Sequence, residues 1–126
     1  MINSIKANAV LSEYIEDSCC ENDVCVTFEN DIDPNSYVII KVDKYYNSLN
    51  IEKRPASIDC LIIRECVGNG YGLTLVELKN IENSKGFDLN NMKSKFNTTL
   101  NDFIKIKLKN PLDIDYNEIK LFFVSN

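Results

Sequence analysis

Asp59 and the tripeptide Glu77-Leu78-Lys79 are the residues of this chain whose types and spacing could support a reaction. Two carboxylates and a lysine on neighbouring strands can hold a divalent cation, position a water molecule and place a positive charge beside a phosphate. The spacing is mirrored about a glycine: Asp59 lies nine residues before Gly68, and Glu77 lies nine after it. A hairpin turning near Gly68 would set the two carboxylates opposite each other. Side-chain alternation puts Asp59, Leu61 and Ile63 on one face with Leu73, Leu75, Glu77 and Lys79. Ile63 then meets Leu73, Leu61 meets Leu75 and Asp59 meets Glu77, a match in kind that a one-residue slip would destroy.

The opposite face, with Ile58, Cys60, Ile62, Thr74, Val76 and Leu78, is also mainly apolar, which places the hairpin centrally in a sheet covered on both sides. Carboxylates directly opposite each other repel, and Lys79 compensates only part of that. A divalent cation is the obvious remaining compensation. Hard oxygen ligands suit Mg²⁺ or Mn²⁺, with Asp59, Glu77 and the backbone carbonyl of Leu78 as the ligand set. The plainer alternative is a salt-bridged cluster in which Asp59 is partly protonated, since Glu-X-Lys alone is a common tripeptide.

The elements that must position these residues read as follows. Residues 3–18 show an apolar stripe of Ala7, Val10, Leu11, Tyr14 and Ile15 at helical spacing. Residues 24–28 form a possible short strand, and Pro34-Asn35-Ser36 is turn-like. Residues 37–43 are dense in β-branched side chains and read as a strand, followed by a short helix through Leu49 that Asp43 could cap. A helix across that whole window is the alternative. Residues 58–64 and 72–79 are the clearest strands, joined by a turn containing Gly68 and Gly70. Asp88 caps a helix bearing Leu89, Met92, Phe96, Leu100, Phe103 and Ile104, which Asn110-Pro111 ends, and residues 119–124 form a last strand. The order α-β-β-β-α-β predicts an α/β fold, a mixed sheet flanked by helices.

With 126 residues and ordinary apolar content the chain reads as a single domain, 1–126. It has no apolar run of membrane-spanning length, and Met1 to Lys6 lacks the layout of a signal peptide, so a cytoplasmic protein is expected. Five cysteines in a non-secreted chain argue against a disulfide framework. A zinc site lacks both a CxxC pair and histidine, and Cys60 reads as a small hydrophobe within a strand. A net charge of −5 opposes a strong nonspecific grip on DNA. The charge is uneven, however: −7 over residues 1–33 and +4 over residues 93–109. Lys93 and Lys95, on the helix end that follows Lys79, are the candidate nucleic-acid contacts; a solvated face is the bland reading. Tyr45 and Tyr46 could stack on bases, or divide between core and rim.

The run Pro55-Ala-Ser-Ile-Asp59 followed by Leu73-Thr-Leu-Val-Glu77-Leu-Lys79 resembles the PD-(D/E)XK nuclease superfamily, the group that includes restriction endonucleases and Holliday-junction resolvases. The resemblance implies a restriction endonuclease-like core of helix, three strands, helix and strand spanning nearly the whole chain. It also implies Mg²⁺ bound by Asp59 and Glu77, with Lys79 assisting phosphodiester hydrolysis. The chain departs from the pattern in placing Pro55 four residues before Asp59. The first-helix acids Glu13 and Glu16 lie away from the apolar stripe, and no separate DNA-reading region is evident. Two functions follow as expectations. One is a metal-dependent nuclease acting on DNA before RNA, a homodimer if it cuts both strands. The other is a non-catalytic binding or regulatory protein on the same scaffold, with a protein partner.

Overall fold

The two β-branched runs flanking the glycines form the centre of a five-stranded sheet. In this computed structural model, which describes residues 1–21, 23–79 and 88–125, β5 (Cys60–Glu65) pairs antiparallel with β6 (Tyr71–Lys79). Leu61 lies opposite Leu75 and Ile63 opposite Leu73, the register expected from the mirrored spacing. Gly68 and Gly70 make the turn possible, with φ of +99° and +82°, a region that side chains bearing a Cβ enter only with strain.

The sheet order is β1 (Ile15–Glu16), β4 (Tyr37–Ile40), β5, β6, β7 (Glu118–Ser125). Its pairings are antiparallel except β6 with β7, which run parallel. A separate ribbon of β2 (Cys19–Glu21) and β3 (Val24–Val26) packs on one face, where Cys19, Val24, Ile39, Cys60, Ile62, Val76 and Leu78 form a small core. The larger core lies on the other face beneath the helices and includes Ile5, Leu11, Tyr46, Ile58, Leu61, Leu73 and Phe103. The expected mixed α/β sheet with helices is therefore present.

Three local expectations are corrected. The helix expected over 3–18 stops early: α1 covers Ile2–Ala7, a 3₁₀ turn follows at Leu11–Tyr14, and the chain then enters β1. Asn8 breaks it, because its Oδ1 accepts from the amides of Val10 and Leu11 at 2.9 and 3.0 Å and so supplants the helical ladder. The second correction concerns α2 (Val42–Ser48): Lys41 takes the cap position, and Asp43 sits inside the first turn.

The third concerns the cysteines. Cys19 is disulfide-bonded to Cys60, joining β2 to β5, and Cys20 to Cys25 closes the ribbon, leaving Cys66 free. The odd count was one unpaired thiol beside two bridges. Cys60 is a cross-link rather than a simple hydrophobe, because the ribbon folds Cys19 onto it from 41 residues away.

Asp88 caps α3 (Leu89–Thr98) as expected, its Oδ1 accepting from the Asn91 amide at 3.1 Å. The helix continues π-wound over Thr99–Lys107, and the short α4 (Lys109–Leu112) contains the cis Asn110-Pro111 bond. Phe103 from the π-wound segment packs edge-on against Tyr45, ring centroids 5.1 Å apart, and lies against Tyr46 as well. Both tyrosines are buried, so they belong to the core and are not presented for base stacking. The Tyr46 hydroxyl donates to Asp102 Oδ2 at 2.6 Å; burial and that carboxylate raise its pKa. Phe103→Ala is expected to cost about 3–5 kcal/mol, read as a lowered midpoint in urea unfolding.

Edge strand β7 is less covered. Ile119, Leu121, Phe122 and Phe123 remain 38–53% exposed, an apolar edge of the kind that invites pairing with another chain.

Candidate metal centre

Asp59 stands one residue before β5, and continuing the ladder from the Cys60–Val76 pair sets it level with Glu77. The expected juxtaposition is thus present. Both side chains are buried, 9% and 3% exposed respectively. Were β5 longer, the carbonyl of Ile58 would accept from the amide of Leu78. Instead Asp59 Oδ2 takes that amide at 2.7 Å. A strand residue directs its amide and carbonyl to the same side, so the Leu78 carbonyl also faces the Asp59 edge.

The electrostatics are unfavourable without help. Burial, and then the charge of the adjoining Glu77 carboxylate, push the Asp59 pKa up to about 7, against the opposing influence of the Leu78 amide and Lys41. One oxygen of Glu77, Oε2, is ion-paired with Lys95. The other, Oε1, is buried and has no hydrogen-bond partner. Leaving a buried carboxylate oxygen unsatisfied is costly. A proton on Asp59 or a cation between the two groups would relieve it.

Further charged groups converge here that the sequence reading did not select. The carboxylates of Glu21 (β2), Asp43 (α2) and Asp59 offer oxygens that all lie within 4.8 Å of one another. Lys41, only 7% exposed, sits among them. Its Nζ is 3.3 Å from Glu21 Oε2 and 3.8 Å from Asp43 Oδ1, and it donates to the Cys20 carbonyl at 3.3 Å. Burial raises the Asp43 pKa, Lys41 lowers it, and Asp59 and Glu21 raise it further. Arg54 braces the approach, donating to Ser57 Oγ at 3.1 Å and to the Asp43 carbonyl at 3.2 Å.

The structure therefore brings together Asp59, Glu77 and the Leu78 backbone, and adds Asp43, Glu21 and Lys41. Lys79 ends β6 half-buried and, by strand alternation, on the face of Glu77. Among the described residues it makes no ion pair with Asp59 or Glu77; the ammonium at Glu77 is that of Lys95. Lys93 is exposed on α3. Lys41 had a visible signal, a lone lysine within the apolar run Val38-Ile-Ile-Lys41-Val42. Glu21 had none, because its place depends on where the disulfide-linked ribbon lands. No protein-family model, curated protein or solved structure matches the chain.

Proposed function

We propose that this chain is a metal-dependent nuclease that hydrolyses phosphodiester bonds, of DNA before RNA, with Mg²⁺ or Mn²⁺ held by Asp59, Glu77 and the Leu78 carbonyl. The observation that carries the reading is Glu77 Oε1, a buried carboxylate oxygen without a partner beside a second buried carboxylate. The donors are all hard oxygens, which fits these cations. A cation there would supply Lewis acidity toward a phosphate and lower the pKa of a bound water. Leu78's amide fixes the Asp59 carboxylate, and Lys95 balances part of the charge on Glu77. Lys79, about 7 Å along the same face from Glu77 by strand rise, is the residue we assign to the phosphate oxygens.

The PD-(D/E)XK likeness supports this reading through more than the motif. Elements α1, β4, β5, β6, α3 and β7 follow the order α-β-β-β-α-β once β1, the ribbon, α2, the short α4 and the 3₁₀ and π-wound segments are set aside as additions. The apolar edge of β7 favours a homodimer, as cutting both strands would require. Two disulfides favour an oxidising compartment over the cytoplasm. Among the described residues no helix is long and apolar enough to cross a membrane.

The second reading, a non-catalytic protein acting on a protein partner, draws on Lys41 and Lys95, whose ammonium groups already lie inside the acidic cluster. Cleavage assays separate the two. Oxidised protein with Mg²⁺ or Mn²⁺ is expected to nick or cleave duplex, branched or single-stranded substrates. Chelation should abolish the activity, and Lys79→Ala should reduce it more than about a hundredfold without changing the unfolding midpoint. Wild-type protein inert on all three substrates with both metals would defeat the nuclease reading.

A further inference from the structure

Around Asp59 carboxylates outnumber ammonium groups. Four carboxylates, those of Glu21, Asp43, Asp59 and Glu77, converge on two ammonium groups, Lys41 and Lys95. Resting on the reading of Asp59 and Glu77 as a cation site, we infer that the site extends beyond these two residues, with Asp43 as a direct ligand and Glu21 as an outer carboxylate.

Three features support this assignment beyond the gathering of acids. Glu77, 3% exposed and with Oε1 unpartnered, adjoins Asp59, and carboxylate oxygens of Asp43 and Glu21 lie within 4.8 Å of one on Asp59. Asp59 is thereby common to both groupings. The Asp43 side chain is 20% exposed and its Oδ1 lies 3.8 Å from the Lys41 ammonium, beyond a good hydrogen bond. Glu21, 42% exposed, is closer to that ammonium at 3.3 Å. Asp43 Oδ1 also accepts from the Lys44 amide at 2.8 Å, which holds that carboxylate in place as a direct ligand requires, while the more exposed Glu21 is suited to hold a metal-bound water or to leave as a ligand enters. The Cys19–Cys60 disulfide, adjacent in sequence to Asp59 and two residues from Glu21, fixes the ribbon against the site and preorganises this side of it.

On this assignment Lys41 competes with the cation for the same oxygens, and the two substitutions should act in opposite directions. The test is Mn²⁺ binding to the oxidised chain, followed by electron paramagnetic resonance of free Mn²⁺. Asp43→Asn keeps the acceptor for the Lys44 amide and is expected to weaken Mn²⁺ binding at least about tenfold, since ligand charge sets affinity at such sites. Lys41→Met is expected to tighten it about threefold or more. Should Lys41→Met fold poorly, a larger rise in its melting temperature on adding Mn²⁺ than wild type shows would support the same conclusion. Unchanged affinity in Asp43→Asn, with binding lost in Asp59→Asn, would overturn the extension while leaving the Asp59–Glu77 site standing. No Mn²⁺ binding by wild type would overturn both.

Discussion

Asp59→Asn is expected to abolish function and stabilise the fold at once. On the nuclease proposal, loss of the Asp59 carboxylate should lower Mg²⁺-dependent cleavage by more than about a hundredfold, exceeding what supporting residues around a metal typically cost. The same substitution removes a group held at an unfavourable pKa. In the unfolded chain Asp59 loses its proton near its ordinary value of 3.8, whereas in the folded chain it keeps it to about 7. Between these values the folded state binds more protons than the unfolded one, so the contribution of Asp59 to stability falls as pH rises through that window. Below pH 4 the wild type and Asp59→Asn should unfold alike. Above pH 7, in chelator, the asparagine variant should be more stable by about 1–3 kcal/mol, less than the full shift would give because the site can relax. Urea midpoints at pH 4 and pH 8 would show it. Equal midpoints at both pH values would mean that the pair is not strained.

Removing the inter-element disulfide is the second large effect. Cys19→Ala with Cys60→Ala opens a loop of 41 residues, for which chain-entropy arguments give about 4 kcal/mol. A cost in the range of about 2–5 kcal/mol in urea unfolding is expected. The consequence should reach the site. Cys60 adjoins Asp59 and Cys19 lies two residues before Glu21, so the ribbon that carries Glu21 and receives the Lys41 hydrogen bond loses its anchor. Treatment of the wild type with dithiothreitol should reproduce the stability loss. A reduced protein with an unchanged midpoint would show that the ribbon is held by packing alone.

The hairpin was legible because its register is a local property. Alternation fixes which residues share a face, and only one pairing of 58–64 with 72–79 matches apolar with apolar and acid with acid. Asp59 and Glu77 followed from that geometry. Lys95 at Glu77 did not, because it depends on how α3 crosses the sheet. The interruption at Asn8 was hidden by an apolar stripe that continues past it: periodicity reports which face is buried, while the side chain of Asn8 decides whether the backbone ladder survives. The disulfides were missed for a related reason. Spacing along the chain does not reveal that Cys19 and Cys60 come to have Cα atoms 6.2 Å apart. Asp43 and Glu21 reach the site through the same non-local packing, from α2 and from the ribbon.

The most direct measurement of the central claim is calorimetric titration of the oxidised chain with Mn²⁺ at pH 7.5, repeated for Asp59→Asn and Glu77→Gln. One Mn²⁺ bound per chain by the wild type, with binding lost in both variants, is the predicted result. Wild-type protein that takes up no Mn²⁺, or variants that bind it as the wild type does, would contradict the assignment of Asp59 and Glu77 as a metal site.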